Sequence, residues 1–380
     1  MERLAFEQLN ESLYHETMEN GLEVYVLPKR GFHKTFVTFT TKYGSVDNSF
    51  VPLNSENPVH VPDGIAHFLE HKMFEKEDGD VFQQFSKQGA SANAFTSFTR
   101  TAYLFSATSN VKENVGTLVD FVQDPYFTTE TVEKEKGIIG QEIRMYDDNP
   151  DWRLFFGLIE NMYRSHPVKI DIAGTEQSIS KIDKDLLYTC YETFYHPSNM
   201  LLFMVGPVDP REMISLVKEN QSRKNYQAQP PVDRRFEKEP KETARLKKVL
   251  EMPVQTPKCV IGYKEQRPGR HGEQLLRHEL AVNVLLDLIF GPSSENYEKL
   301  YDEGLIDETF SFDYTEESHF GFSMIGGDTR DPDELEKQLF TMIEEFKQQP
   351  FDEEAIKRAK KKKIGSFLQA LNAPEFIANQ

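Results

Sequence analysis

The sequence breaks once, and the break limits what the chain can fold into. From Ser222 to Ala244 it is polar, charged and proline-containing, with no hydrophobic period. That is linker composition rather than the composition of a packed element. On both sides the same order of elements is legible: strand, strand, helix, helix, strand, strand, helix, helix. Before the break, Leu22–Leu27 and Thr35–Tyr43 are predicted strands around the turn-prone Pro28–Gly31. Helices are expected over Pro62–Lys76 and Asp80–Lys87, with Asp63 as N-cap of the first and Gly89 ending the second. Strands at Ala92–Ser97 and Thr101–Thr108 follow, then an Asn110-capped helix whose Val115, Leu118, Val119 and Val122 form one stripe. Helices at Thr129–Tyr146, Trp152–Arg164 and Asp183–Tyr195 lead to a buried strand, Met200–Val205, and a last helix.

After the break, strands are expected near Lys248–Met252, Lys258–Tyr263, Glu308–Tyr314 and His319–Ile325. The helices are Gly272–Phe290, Ser294–Glu303, Asp331–Gln348 and Asp352–Leu371. Hairpins mixed with helices in this order require α+β layers: a mixed, mostly antiparallel sheet with helices packed on it, built twice. The expected division is therefore residues 1–221, a linker at 222–245, and 246–380. A length of 380 residues fits two domains. The second copy has no counterpart of Met200–Val205, which would leave a sheet edge open, so the chain is expected to be cut short at its C-terminus.

A formal net charge of −18 excludes nucleic acid and an anionic membrane as main partners. Cys190 and Cys259 stand far apart with no Cys-x-x-Cys pattern, so neither a disulfide nor a thiolate metal site is expected. The first residues, MERLAFEQLNESLYHETMENG, carry acids and no apolar core, unlike a secretory leader. No apolar run approaches membrane-spanning length. The expected location is the cytoplasm.

The chemistry concentrates in PDGIAHFLEHKMFEK, residues 62–76. His67 and His71 are four apart, so on a helix both rings leave one face about a turn from each other. Glu70 lies beside them. A hydrolytic metal site needs three protein ligands, an open position and a base; the H-x-x-E-H run offers two ligands and one base. In VEKEKGIIGQEIRMY, Glu135 and Glu142 share a stripe with Ile139 and point inward with it. A buried carboxylate must be paired or bind metal. The alternative is a charged face satisfied by Lys134 and Lys136. The other histidines weaken on inspection: His166 and His196 precede proline, His278-Glu279 lacks a second histidine, and the rest stand alone. The Lys357–Lys363 run reads as a solvated helix face.

The H-x-x-E-H helix, GASANAFTSFTRTAY, the paired-glutamate helix, and HPVKIDIAGT followed by YHPSNMLLFMVG resemble, in order, the insulinase (pitrilysin) metallopeptidases. The likeness runs over roughly residues 20–210, and is strongest to the short insulinase-like peptidases of Gram-positive bacteria. It implies a zinc endopeptidase for peptides or unstructured segments. The Zn2+ ligands would be His67, His71 and Glu142, with Glu70 as general base and Glu135 as a carboxylate orienting a ligand histidine. Asn93, Ala94, Phe95 and Thr96 would lie on a strand edge that binds the substrate backbone. The resemblance further implies one half of a two-halved clamshell, hence a homodimer or a heterodimer with a related subunit. Members of the family also use an Arg/Tyr pair to hold the substrate carbonyl. No convincing pair occurs before Gln380, so the opposing reading is a noncatalytic or weakly active scaffold subunit.

Overall fold

Met200–Gly206, the most apolar strand, lies at the centre of a seven-stranded sheet. The computed structural model describes residues 1–53, 55–77, 79–350 and 352–380. The strands are β1 (Glu2–Phe6), β2 (Glu11–Thr17), β3 (Glu23–Pro28), β4 (Thr35–Thr41), β5 (Ala90–Thr96), β6 (Thr101–Ala107) and β7 (Met200–Gly206). Their order is β1-β2-β3-β7-β4-β6-β5. Strand β7 runs parallel to β3 and antiparallel to β4, and all other neighbours are antiparallel. A strand flanked on both edges and covered on both faces reads as a continuous apolar run.

Helix α1 (Ile65–Met73) packs Ile65, Ala66, Phe68, Leu69 and Met73 into the core of this sheet. Helix α2 (Val81–Lys87) starts at Asp80, whose carboxylate accepts from Phe82 N at 2.8 Å, and is followed by Gly89 at φ +76°. Helices α3 (Val111–Val122) and α4 (Thr129–Asp147) also bury apolar stripes. Two expected caps differ. Gly64, at φ +87°, is the N-cap of α1, and Asp63 instead accepts from Asn48 Nδ2 at 2.9 Å. Asn110 holds the N-cap position of α3, but its side-chain amide donates to the Gln88 carbonyl at 3.0 Å and caps none of the first-turn N–H groups.

Strands β1 and β2 were absent from the expectation. Their charged and apolar residues alternate weakly because β1 is exposed on both faces, so pairing rather than burial makes them strands. Lys248–Met252, expected as a strand, is irregular. Arg245 N bonds the Asn161 carbonyl at 2.9 Å and Lys248 pairs with Glu160 at 2.5 Å, which lays the segment along helix α5 (Pro150–Met162).

The chain forms two compact units: Met1–Ile143 with Ile170–Phe236 and Ala370–Gln380, and Arg144–Lys169 with Glu237–Gln369. These differ from the expected 1–221 and 246–380. Much of the supposed linker belongs to the first unit, where Arg234 Nε meets Asp47 Oδ1 at 2.8 Å. The last residues return to the same unit, with Ile377 packed on Leu27, Phe36 and Val205. Helix α5 joins the second unit, where the Tyr163 hydroxyl donates to the Gly321 carbonyl at 2.6 Å. That unit holds a three-stranded antiparallel sheet: β8 (Lys258–Ile261), β9 (Ser311–Glu316) and β10 (Gly321–Asp328), with β10 in the middle. Among the described residues no helix is long and apolar enough to cross a membrane.

Candidate metal centre

The buried positions of α1 leave its third and seventh residues on the opposite side, and these are His67 and His71. Their rings lie 4.5 Å apart, edge to face. Val132, Ile139 and Ile143 bury one side of α4, and Glu142 reaches both histidines: Oε1 is 3.7 Å from His67 Nε2 and Oε2 is 3.6 Å from His71 Nε2. These are too long for hydrogen bonds. A tetrahedral zinc ion with arms of ~2.1 Å needs ligand atoms ~3.4 Å apart, so two imidazoles and one carboxylate at this spacing fit such an ion.

Glu135, also on α4, places Oε1 3.0 Å from His71 Nδ1. A carboxylate there accepts a hydrogen bond from Nδ1–H, which keeps the proton on Nδ1 and leaves the Nε2 lone pair on the side of Glu142. Among the described residues, His67 Nδ1 is buried without a hydrogen-bond partner. Burial, with His71 beside it, pushes His67 down to about 3, so its ring is neutral. Burial pulls His71 down too, but the Glu135 hydrogen bond and the charges of Glu70, Glu135 and Glu142 outweigh it and raise the net value. Glu70 is buried; burial raises its carboxyl above the ordinary value, against the Thr96 hydrogen bond and His71.

Among the described residues, strand β5 is the terminal strand of the sheet, with one edge unpaired. Ser97 N bonds the Arg100 carbonyl at 2.8 Å. In an antiparallel ladder of this register the N–H groups of odd-numbered residues then face β6 and those of Ala92, Ala94 and Thr96 face the open edge. Ala94 N is covered there by Asn93 Oδ1 at 2.9 Å. The Phe95 ring lies 5.9 Å from the Arg100 guanidinium carbon. Thr96 departs from the expected backbone role alone, because its hydroxyl donates to Glu70 Oε2 at 2.5 Å. The contact joins residues 26 apart, and no sequence period could have found it.

A second group missed in the sequence, Glu265, His278 and Glu316, also brings ligand atoms within 4.8 Å of one another. Here Arg270 Nη1 stands 2.7 Å from Glu316 and 3.6 Å from Glu265, and Tyr314 donates to Glu265 at 2.8 Å. The guanidinium already supplies the positive charge, so the arrangement is an ion-pair network of the second unit.

Residues 58–176 match the family model Insulinase (Peptidase family M16), and residues 181–363 match Peptidase M16 inactive domain. The chain is 66% identical over 377 residues to YmfH of Bacillus subtilis, described as an uncharacterized zinc protease, covering 99% of this chain and 88% of that protein. A crystal structure of an M16-like peptidase from Alicyclobacillus acidocaldarius superposes with a TM-score of 0.94 at 42% identity, over 98% of this chain and 87% of that one. A protease from Helicobacter pylori shares the fold, with a TM-score of 0.80 at 20% identity over 97% and 87%. With this identity over nearly the whole length, the chain belongs to the M16 (insulinase) family of peptidases.

Proposed function

We propose that the chain is a zinc-dependent endopeptidase acting on peptides or unstructured segments. The carrying observation is the convergence of His67 Nε2, His71 Nε2 and Glu142 beside a buried carboxylate, Glu70. His67, His71 and Glu142 would hold the ion, which supplies Lewis-acid charge that acidifies water and polarises a peptide carbonyl. Glu135 fixes the His71 ring so that Nε2 faces the centre. Glu70 takes the proton of the attacking water and returns it to the departing amine. An extended peptide adds to the open edge of β5 through the Ala94 and Thr96 backbone, with Asn93 and Phe95 beside it. Displacing Asn93 Oδ1 from Ala94 N is part of that binding.

The competing reading, a noncatalytic or weakly active subunit working with an insulinase-like partner, draws on the match of residues 181–363 to an inactive domain. Metal content and peptide cleavage, measured for the wild type and Glu70→Gln, alone and with a co-expressed homologue, separate the two. The variant is expected to keep its metal and lose turnover, and His67→Ala to lose both. A metal-free wild type overturns the site. Cleavage unchanged in Glu70→Gln overturns the role of the base.

A further inference from the structure

Glu70 has two carboxylate oxygens, and only one can serve the attacking water. The other is already engaged: Thr96 Oγ1 lies 2.5 Å from Glu70 Oε2. A carboxylate only accepts, so the hydroxyl proton belongs to this bond. Thr96 itself is held. It stands opposite Thr101 in the β5–β6 ladder, and the Thr101 hydroxyl, fully buried, donates to the Tyr43 carbonyl at 2.9 Å. The threonine hydroxyls are 3.3 Å apart, too far to compete with the bond to Glu70. Along β5, Ala90, Ala92 and Ala94 pack on the core below α1, and Thr96, two residues on, shares that face. Its side chain therefore points at the helix while its backbone belongs to the open edge.

We propose that Thr96 is a positioning residue for the hydrolysis assigned above, on which this inference rests: by occupying Oε2 it commits Glu70 Oε1 to the water. In the attack, a water O–H bond breaks and an O–H bond forms at Oε1, while the water oxygen bonds to the carbonyl carbon and the C=O π pair moves onto the carbonyl oxygen, from which it re-forms the C=O bond when the amine departs. As the C–N bond breaks, the proton leaves Oε1 for the amine. Thr96 keeps its own proton throughout. Because the same residue terminates the edge that receives the peptide, the strand that aligns the substrate also aligns the base.

Thr96→Val keeps the shape and removes the donor; Thr96→Ser keeps the donor and removes the methyl. The expected result is a kcat roughly 10–100-fold lower for Thr96→Val, with KM within about twofold and zinc content unchanged. Thr96→Ser should stay within a few-fold of the wild type. Thr96→Ala replaces the valine variant if thermal melting shows that valine fails to pack. A Thr96→Val or Thr96→Ala kcat equal to that of the wild type, a change confined to KM, or a serine variant as impaired as valine overturns the proposal. If Glu70→Gln abolishes cleavage and Thr96→Val does not, only the role of Thr96 falls. If Glu70→Gln cleaves normally, or the wild type shows no turnover alone or with the related subunit, the underlying function falls too.

Discussion

His71 Nδ1 lies 3.0 Å from Glu135 Oε1, a carboxylate carried by a different helix from its own. The contact decides which nitrogen of His71 is left to bind an ion, and it couples α1 to α4 where both would contribute ligands under the proposed function. Glu135→Gln keeps the length and an acceptor oxygen but removes the charge. Zinc affinity, measured by competition with a chelator, is expected to fall roughly 10–100-fold with the fold intact. Unchanged affinity would show that Glu135 does not orient the ring.

The edge of β5 gives a second test. Ala94 N faces away from β6 and bonds Asn93 Oδ1, so proline at this position costs no ladder bond and is tolerated on an edge strand. It does remove one donor from the substrate edge. Ala94→Pro is expected to raise KM for an extended peptide about tenfold, the worth of one lost hydrogen bond, with zinc content and melting temperature close to those of the wild type. An unchanged KM would show that the peptide does not add to this edge through Ala94.

The fold and the site were legible in the sequence to different depths. Helices with clear stripes were readable from period alone, among them Val111–Val122 and Pro332–Gln348, as was the central strand, whose neighbours bury it on every side. The H-x-x-E-H spacing placed His67 and His71 together because one helix carries both. What stayed hidden depends on contacts between distant segments. Nothing local in Ile377 says that it packs on Val205, nor does Trp152–Met162 reveal which unit it joins. The resemblance put Thr96 on the substrate edge, but its bond to Glu70 stayed hidden until the sheet brought the two together. The β1–β2 hairpin failed for the opposite reason, since a strand as exposed as β1 needs no apolar alternation.

Acid should loosen the second unit through His166. This residue is 2% exposed, its Nδ1 accepts from Val168 N at 3.1 Å, and burial, with His319 nearby, pushes it down to about 4. The unfolded chain, with an ordinary histidine value near 6.5, binds the proton more readily. The stability it contributes is therefore complete above about pH 6.5, declines as pH falls, and is gone below about pH 4. The full loss is about 3 kcal/mol. Unfolding measured at pH 7, 5.5 and 4 should show a steeper decline for the wild type than for His166→Gln. Parallel curves would assign the acid lability elsewhere.

The start of α1 depends on two glycines that meet across the fold. Gly64 has φ +87°, and a Cβ added there would run into the Ala173 carbonyl; Gly174 has φ +73°, and its Cβ would run into the Asp63 carbonyl. Each close approach excludes a side chain, and the left-handed backbone alone costs an L residue about 1–2 kcal/mol. Gly64→Ala must accept that strain and also push the 173–174 backbone away from the first turn of α1, only three residues before His67. The expected outcome is a loss of at least ~2 kcal/mol in stability, together with weaker zinc binding, because the helix that carries both histidines shifts at its root. Gly116→Ala is the control: it lies in α3, has no atom within 4 Å of an added Cβ, and gains helix propensity. It should melt at or above the wild-type temperature and bind zinc normally. If Gly64→Ala behaves like Gly116→Ala, the meeting of the two backbones does not position the site.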